Sequence, residues 1–406
     1  MDNYQSKLRV MVLPGYNDER GQSLHKHLQE VRQSNENFLI GVSAKNFGDG
    51  ESTMIYNLED ESIRGTHAVY IEDITKPMEH GLRVPNERFA QLKSAMGGRI
   101  GKEGNEKRCT VVTPFQLKGR QDKSGQRGSL DMAQSIKELA SLGATNIITV
   151  DAHNPTASEN AAYMADIGFV NMLPTVSMLI AILEKEYKAF RDGQLMTVSP
   201  DEGATARNAA LASMLASPRG MGLFFKERDF TQIVDGAHPI KQHIYTGPSV
   251  KDTTVILDDD IIASGDTLLG AARILKDKGA ERVILKATHP LFTKGLENFD
   301  KAVKNEIIDH VFVTNSVYVP PEFERDWLTV VDITKYIANT INALHENRSL
   351  SEYVRRSPEL AQFLTTIRSP EFSDFLQKIN GTNLSSVLRD EGKTFPELLH
   401  EMGDNN

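Results

Sequence analysis

A short apolar run, Thr254-Val-Ile-Leu257, is followed at once by three carboxylates, Asp258-Asp259-Asp260, and then by a small-residue turn, Ala263-Ser264-Gly265-Asp266-Thr267. The β-branched content of the run predicts a buried parallel strand, and the acids are expected where that strand ends, at the carboxyl edge of a sheet. After the turn, Leu268, Ala271, Ala272 and Leu275 recur at helical spacing, which predicts a helix with one apolar face. A turn that opens a helix offers unpaired backbone N–H groups and the positive end of the helix dipole, and both attract phosphate. Asp259 and Asp260 beside it can accept hydrogen bonds from sugar hydroxyls or hold a hydrated Mg2+. On these residues alone two readings are open: a sugar-phosphate site, or a helix capped by Ser264 or Asp266 with solvated acids next to it.

The same rhythm of strand and helix runs along the chain. Strands are predicted at 8–12, 38–42, 68–71, 111–113, 147–150, 195–198, 222–225, 283–287 and 310–314, and helices at 23–31, 130–142, 176–190, 204–215, 296–303 and 333–344. Such alternation predicts an α/β fold whose parallel sheets are flanked by helices. The 406 residues suffice for two core-bearing domains and an appendage. The expected boundaries are 1–165, 166–348 and 349–406, the last a small helical tail punctuated by Ser357-Pro358, Ser369-Pro370 and Gly381. Residues 76–108 read as a helix followed by an exposed, Gly- and charge-rich loop. One internal echo agrees with two similar domains: Leu142-Gly143-Ala144 followed by His153, and Lys278-Gly279-Ala280 followed by His289, with the same Gly to His spacing.

Composition narrows the function classes. A net charge of −9 argues against broad nucleic-acid binding, which needs a basic surface to displace counterions. The chain shows no apolar stretch of membrane-spanning length and its first residues lack a basic-then-apolar leader pattern, so no membrane partner is expected. A single cysteine, Cys109, cannot form an internal disulfide, and a reducing, cytoplasmic setting is the expectation.

Four further clusters fall at predicted strand ends or in the loops after them, where open α/β sheets build sites. Phe47-Gly48-Asp49-Gly50-Glu51 can frame a purine by stacking and edge hydrogen bonds, or be a plain surface turn. Arg120-Gln121-Asp122-Lys123 offers a planar guanidinium for phosphate and an amide for a base or ribose, or is a solvated basic loop. Asp151 and His153 are expected to share one face by the period of two, and with Asp201 of Ser199-Pro200-Asp201 to offer hard donors that favour Mg2+ over zinc. In extended chain Lys226 and Arg228 point the same way and Glu227 the other, which converges two cations as a transferring phosphoryl group requires; the alternative is an edge ribbon of alternating charge, with Phe230-Thr-Gln-Ile-Val-Asp as a hairpin arm.

Taken together and in this order, the clusters resemble those of ribose-phosphate pyrophosphokinases. Phe47-Gly48-Asp49-Gly50-Glu51 resembles the family's adenine loop, Arg120-Gln121-Asp122-Lys123 its ATP loop, and Asp151-Ala152-His153 its metal strand. Ser199-Pro200-Asp201, the catalytic Lys226-Glu227-Arg228 and the acid pair with its turn, 259–267, complete six ordered motifs over about residues 9–344. The turn departs from the family's usual Asp-Thr-Gly-Gly-Thr, with Ala263 replacing an acid and Asp266 introducing one.

The resemblance implies two phosphoribosyltransferase-like domains and transfer of the β,γ-diphosphate of Mg-ATP to the anomeric hydroxyl of ribose 5-phosphate. It implies Lys226 and Arg228 as catalytic cations, and Phe47, Asp49, Glu51, Arg120 and Gln121 as ATP-binding residues. His153, Asp201 and Asp151 would hold the metal, and Asp259, Asp260, Ala263, Ser264, Gly265, Asp266 and Thr267 the sugar phosphate. A homo-oligomer is implied because the adenine loop serves a neighbouring subunit in the family. Three alternatives stand beside this: the same chemistry on a nucleotide-linked ribose such as ADP-ribose, to which the extra charge of Asp266 is less repulsive; a phosphoribosyltransferase; and a catalytically silent homologue.

Overall fold

The computed structural model describes residues 7–58, 62–78, 83–98, 108–123, 128–215, 217–228 and 240–350. The helical tail expected at 349–406 lies outside the described residues from Ser351 on, as does the loop of the 76–108 segment at 99–107. The helix expected in that segment is present, at Pro85–Gly98. No helix among the described residues is long and apolar enough to cross a membrane.

The chain divides into two compact units. The first comprises β1 (Leu8–Val12), α1 (Glu19–Arg32), β2 (Leu39–Asn46), β3 (Ser52–Tyr56), β4 (His67–Ile71), α2 (Pro85–Gly98), β5 (Arg108–Val112), α3 (Asp131–Ser141), β6 (Asn146–Val150), α4 (Pro155–Met164) and β7 (Gly168–Met172). The second comprises α5 (Thr175–Arg191), β8 (Leu195–Ser199), α6 (Thr205–Leu215), β9 (Met221–Arg228), β10 (Ile240–Thr246), β11 (Thr254–Ile262), α7 (Asp266–Asp277), β12 (Arg282–Pro290), α8 (Glu297–Lys304), β13 (His310–Thr314) and β14 (Leu328–Val331). Beyond them α9 (Thr334–His345) belongs to the first unit, where Ser23 and Thr334 share a hydroxyl hydrogen bond at 2.7 Å and Arg32 donates to Asn342 at 2.7 Å. The contacts group the described residues differently from a cut at 165/166: β7 pairs with β6 inside the first sheet, and residues 332–350 return to that unit.

Among the described residues each unit is built on a seven-stranded sheet, ordered β3-β2-β1-β4-β5-β6-β7 in the first and β10-β9-β8-β11-β12-β13-β14 in the second. In each, the outermost pair, β2 with β3 and β9 with β10, is antiparallel and the rest are parallel. Counted along each unit the two orders are identical, so the fold is the same one twice. Strand alternation sends Leu8, Val10 and Val12 to one face, against Leu24 and Leu28 of α1 and Ile337 and Ile341 of α9, while Met11 joins Phe89, Leu92 and Ile136 on the other. In the second sheet Val255 and Leu257 pack with Leu268, Ala272 and Phe299, and Ile256 with Leu179, Ile182 and Leu211. The internal echo has a different origin: it matches β6, sixth across its sheet, with β12, fifth across its own. A helix, a left-handed glycine (Gly143 φ 86, Gly279 φ 89) and a strand form a connection that recurs wherever a helix returns to a parallel strand.

The central strand of the second unit does not stop at its acids. It runs on to Ile262, with Asp259 opposite Ala287 and Ile262 opposite Pro290 on β12. Asp258 is fully buried, and Lys286, its register partner on β12, donates to it at 2.6 Å. The equivalent register pair of the first sheet is Ile71 opposite Val112. The same position is thus closed by hydrocarbon in one unit and by an ion pair in the other, and an ion pair so buried is costly to break from one side. Lys286→Ala is expected to cost about 3–5 kcal/mol, whereas Asp258→Ile with Lys286→Val recovers most of that loss; equilibrium unfolding in urea measures both.

Buried imidazoles make stability depend on acid. His67 and His345 stack at 5.4 Å with their Nδ1 atoms 3.2 Å apart, and burial first, then nearby Arg108, holds His67 down at about 3. Burial, followed by Arg32 and Arg108, holds His345 at about 4, and burial, followed by Lys185 and Arg282, holds His310 at about 4. Against the ordinary 6.5, the unfolded chain binds more protons than the folded one between those values. The imidazole contribution to stability is therefore full well above pH 6.5 and falls as pH drops toward 4, by up to about 5 kcal/mol in total between pH 7 and 5, and the raised carboxyls of Glu72 and Asp259 oppose it. Urea midpoints at pH 7.5, 6 and 5 in the parent and in His310→Phe isolate it: a smaller fall in the variant is expected, and an equal fall contradicts it.

Candidate active site

In an open α/β sheet the crevice for a ligand lies where successive connections diverge to opposite sides, outside the carboxyl ends of two neighbouring strands. In the second unit that point is between β8 and β11, since β9 and β10 extend from one side and β12 to β14 from the other. β8 pairs with β11 only as far as Val198 opposite Leu257. Past it β11 continues alone on that side, and the stretch it exposes to the crevice carries Asp259 and Asp260.

These two carboxylates are held in mutual conflict. Asp260 donates its backbone N–H to Asp259 Oδ1 at 2.9 Å, and burial, then repulsion from Asp260 and Asp201, pushes the Asp259 carboxyl well above the usual carboxylate range. Asp201 reaches this position from the loop after β8, where its carboxylate accepts from Ala204 N at 3.2 Å and its carbonyl from the Ser199 hydroxyl at 2.7 Å. Asp201, Asp259 and Asp260 thus stand together, and a proton, a cation or a hydroxyl donor relieves their repulsion. Arg207 of α6 supplies the nearby positive charge, 4.0 Å from Asp260. Among the described residues no group of three or more His, Cys, Asp or Glu side chains forms a ready-made metal cage.

The turn after β11 is built to stay open. Gly265, just before α7, has φ 82, and a Cβ there would meet the Phe299 ring at 2.3 Å, so both backbone and packing require glycine. Gly265 itself has no side chain to cap the helix, and Ser264 Oγ accepts from the Asp266 backbone N–H at 3.4 Å. The Asp266 carboxylate accepts from Ser264 Oγ at 2.9 Å and from Lys294 Nζ at 2.7 Å, and the Lys294 bond, then the Ser264 bond, hold its carboxyl below the usual range. Ala263 and Thr267 flank this turn.

The first unit positions the other expected residues. Phe47, Asp49 and Glu51 are exposed at the tip of the β2–β3 hairpin, where Asn46 pairs with Ser52 and Asp49 accepts from Glu51 N at 3.0 Å. The Phe47 ring is 45% exposed, with Lys45 Nζ 5.5 Å from its centre. Arg120 and Gln121 are exposed in the loop after β5, ordered by Gln121 N donating to Lys118 O at 2.7 Å. Asp151 is buried and His153 exposed. The period of two does not carry across them, because β6 ends at Val150 and Asp151 turns left-handed, φ 45. Asn171 accepts from Ala152 N at 2.8 Å and so shapes this loop. Lys226 and Arg228 lie on β9, opposite His243 and Ile240 of β10; their side chains, and the arm expected at Phe230, fall outside the described residues.

Arg207 was not among the expected residues, yet a signal for it exists. The two sheets share register: Leu8 opposite His67 matches Leu195 opposite Thr254. Counting from these pairs, Glu72 and Asp73 occupy the places of Asp259 and Asp260, and Arg20 that of Arg207. In the first unit Arg20 binds Asp73 at 2.7 Å and Asp18 at 2.8 Å, and Lys76 binds Asp18 at 2.8 Å. Glu72 is fully buried, and burial raises its carboxyl far above the usual range. A Cβ on Gly15 would lie 1.9 Å from Glu72 Oε1. In the first crevice Arg20 pairs directly with the acid at the second of these places, whereas in the second crevice Arg207 stands 4.0 Å from Asp260.

Residues 241–355 match the phosphoribosyl synthetase-associated domain. A ribose-phosphate pyrophosphokinase of Aquifex aeolicus is 30% identical over 309 residues, 75% of this chain and 88% of that protein. One from Ureaplasma parvum is 27% identical over 319 residues, covering 78% and 87%. The fold is that of the crystal structure of phosphoribosylpyrophosphate synthetase from Mycobacterium smegmatis, with a TM-score of 0.67, 24% identity, and coverage of 84% of this chain and 100% of that one. With its repeated α/β unit, its acid pair at the second switch point and these relatives, the chain belongs to the ribose-phosphate pyrophosphokinase family.

Proposed function

We propose that the protein transfers the β,γ-diphosphate of ATP to the anomeric hydroxyl of ribose 5-phosphate, giving phosphoribosyl pyrophosphate and AMP. The observation that carries this reading is the acid pair Asp259 and Asp260 at the β8/β11 crevice, next to the turn that opens α7. Repulsion among Asp259, Asp260 and Asp201 favours partners that bring positive charge or hydroxyl donors, and a ribose brings two adjacent hydroxyls. The 5-phosphate sits on the backbone N–H groups of 263–267 at the positive end of α7. Bound Mg2+ would supply charge neutralisation of the phosphate oxygens, and the carboxylates at the crevice have the hard oxygen donors that suit it.

In the transfer the anomeric oxygen bonds to the β-phosphorus, the bond from that phosphorus to the α,β-bridging oxygen breaks, AMP leaves, and the anomeric proton is released. No covalent enzyme intermediate is needed, so the protein aligns the reactants and stabilises charge. Lys226 and Arg228 stabilise the migrating group; Phe47, Asp49, Glu51, Arg120 and Gln121 hold ATP; Asp151, His153 and Asp201 would hold the metal. An aromatic ring left exposed on a hairpin tip suits an adenine loop that serves a second copy of the chain in a homo-oligomer. A single cysteine, buried in the first sheet, suits a cytoplasmic, reducing setting. Nothing favours ADP-ribose as acceptor, because Lys294 already offsets the charge of Asp266.

Purified protein supplied with ATP, Mg2+ and ribose 5-phosphate is expected to release AMP and phosphoribosyl pyrophosphate in equal amounts, and to stop in excess chelator. Lys226→Ala lowers turnover about a hundredfold or more while leaving ATP affinity nearly unchanged, since its charge acts on the transferring group. Loss of ATP affinity at an unchanged maximal rate makes Lys226 a binding residue instead, and activity without divalent metal removes Mg2+ from the reaction.

A further inference from the structure

A carboxylate inside a phosphate-receiving turn opposes the ligand the turn is meant to hold. Asp266 is such a group: it is the first residue of α7, and its side chain is 59% exposed. Its partner is not a chance neighbour. The segment after β12 is pinned along the turn by Leu291 N to Ile262 O at 2.9 Å, Phe292 N to Ile262 O at 3.0 Å and Thr293 N to Ala263 O at 2.9 Å. Phe292 takes a left-handed φ of 42 and buries its ring edge-on against Phe299, the residue that also packs under Gly265. The same aromatic floor therefore sets the turn and the segment facing it, and from that segment Lys294 reaches Asp266 at 2.7 Å. Both partners are 59% exposed, and ion pairs that exposed add little to stability, so the pair has a better account in the charge it presents to a ligand.

We infer that Lys294 is the positioning and charge-compensating residue of the sugar-phosphate turn: it holds the Asp266 carboxylate aside and cancels its charge, so that the turn accepts a dianionic 5-phosphate. Lys294 acts by balancing the carboxylate it pairs with, so removing both groups together restores the charge balance of the turn. This rests on the sugar-phosphate reading of the turn made above. It also explains how a chain of this family carries an acid in the turn and still uses a phosphate monoester.

The test is a double-mutant cycle on the full chain, read as KM and kcat for ribose 5-phosphate at saturating Mg-ATP. Lys294→Ala is expected to raise KM for ribose 5-phosphate about tenfold, with kcat and KM for ATP within about twofold of the parent, because one uncompensated charge then faces the phosphate. Asp266→Gly is expected to lower that KM, since the lysine is left for the phosphate alone. The double variant returns to within about threefold of the parent. Lys294→Arg, which keeps the charge, stays close to the parent. A double variant as impaired as Lys294→Ala makes the lysine a direct phosphate ligand and overturns the compensation; an unchanged KM in Lys294→Ala overturns it too. If the parent protein does not turn over ribose 5-phosphate at all, the functional reading fails first, a result distinguishable from either.

Discussion

Two adjacent carboxylates on a strand that outruns its neighbour set the terms for the rest of the second unit. Asp259 and Asp260 are kept close together and out of bulk water, with Asp201 adding a third negative group. Such an arrangement raises the free energy of the empty site, and the fold must hold it by other means. It does so with neutral or compensated surroundings: Asp258 is tied to Lys286 within the sheet, Asn208 donates to the Asp258 carbonyl at 2.7 Å, and Arg207 stands 4.0 Å from Asp260. A cation or a hydroxyl-rich ligand bound there would relieve this repulsion, as the proposed function requires.

The first unit shows what happens when the same framework is not used this way. Glu72 and Asp73 hold equivalent register positions, but Arg20 is drawn against Asp73, Tyr318 N donates to Asp73 at 2.6 Å, and Gly15 packs on Glu72. The Asp73 charge is paired there by the protein itself, while Glu72 is buried with its carboxyl raised far above the usual range. One repeated topology thus carries two different sets of side chains at the same carboxyl edge.

Much of this was legible in the sequence. The α/β class, the central strand, the helix after it and the acid pair follow from β-branched runs, helical spacing and abrupt changes of polarity, all local signals. The edge strands were harder. β3, β7 and β14 hold only partly buried or mixed positions, so their apolar runs are short, and their pairing depends on neighbours distant in sequence. The strand at Asp258 was expected to end where charge begins, because Lys286, which makes that charge tolerable, is 28 residues away. Asp151 and His153 were placed on a common face by assuming extended chain; the left-handed Asp151 removes that assumption. Lys294 gave no signal, since a lone lysine after a strand reads as a solvated surface residue.

The central claim is that the acid pair and its turn, and not the matching crevice of the first unit, receive the sugar phosphate. Isothermal titration calorimetry of ribose 5-phosphate in the presence of Mg2+ addresses it directly, with Asp259→Asn/Asp260→Asn and Glu72→Gln as the two variants. The account predicts that the first abolishes measurable sugar-phosphate binding while ATP still binds, and that the second leaves sugar-phosphate affinity within about threefold of the parent. Binding retained in Asp259→Asn/Asp260→Asn, or lost in a folded Glu72→Gln protein, would contradict it.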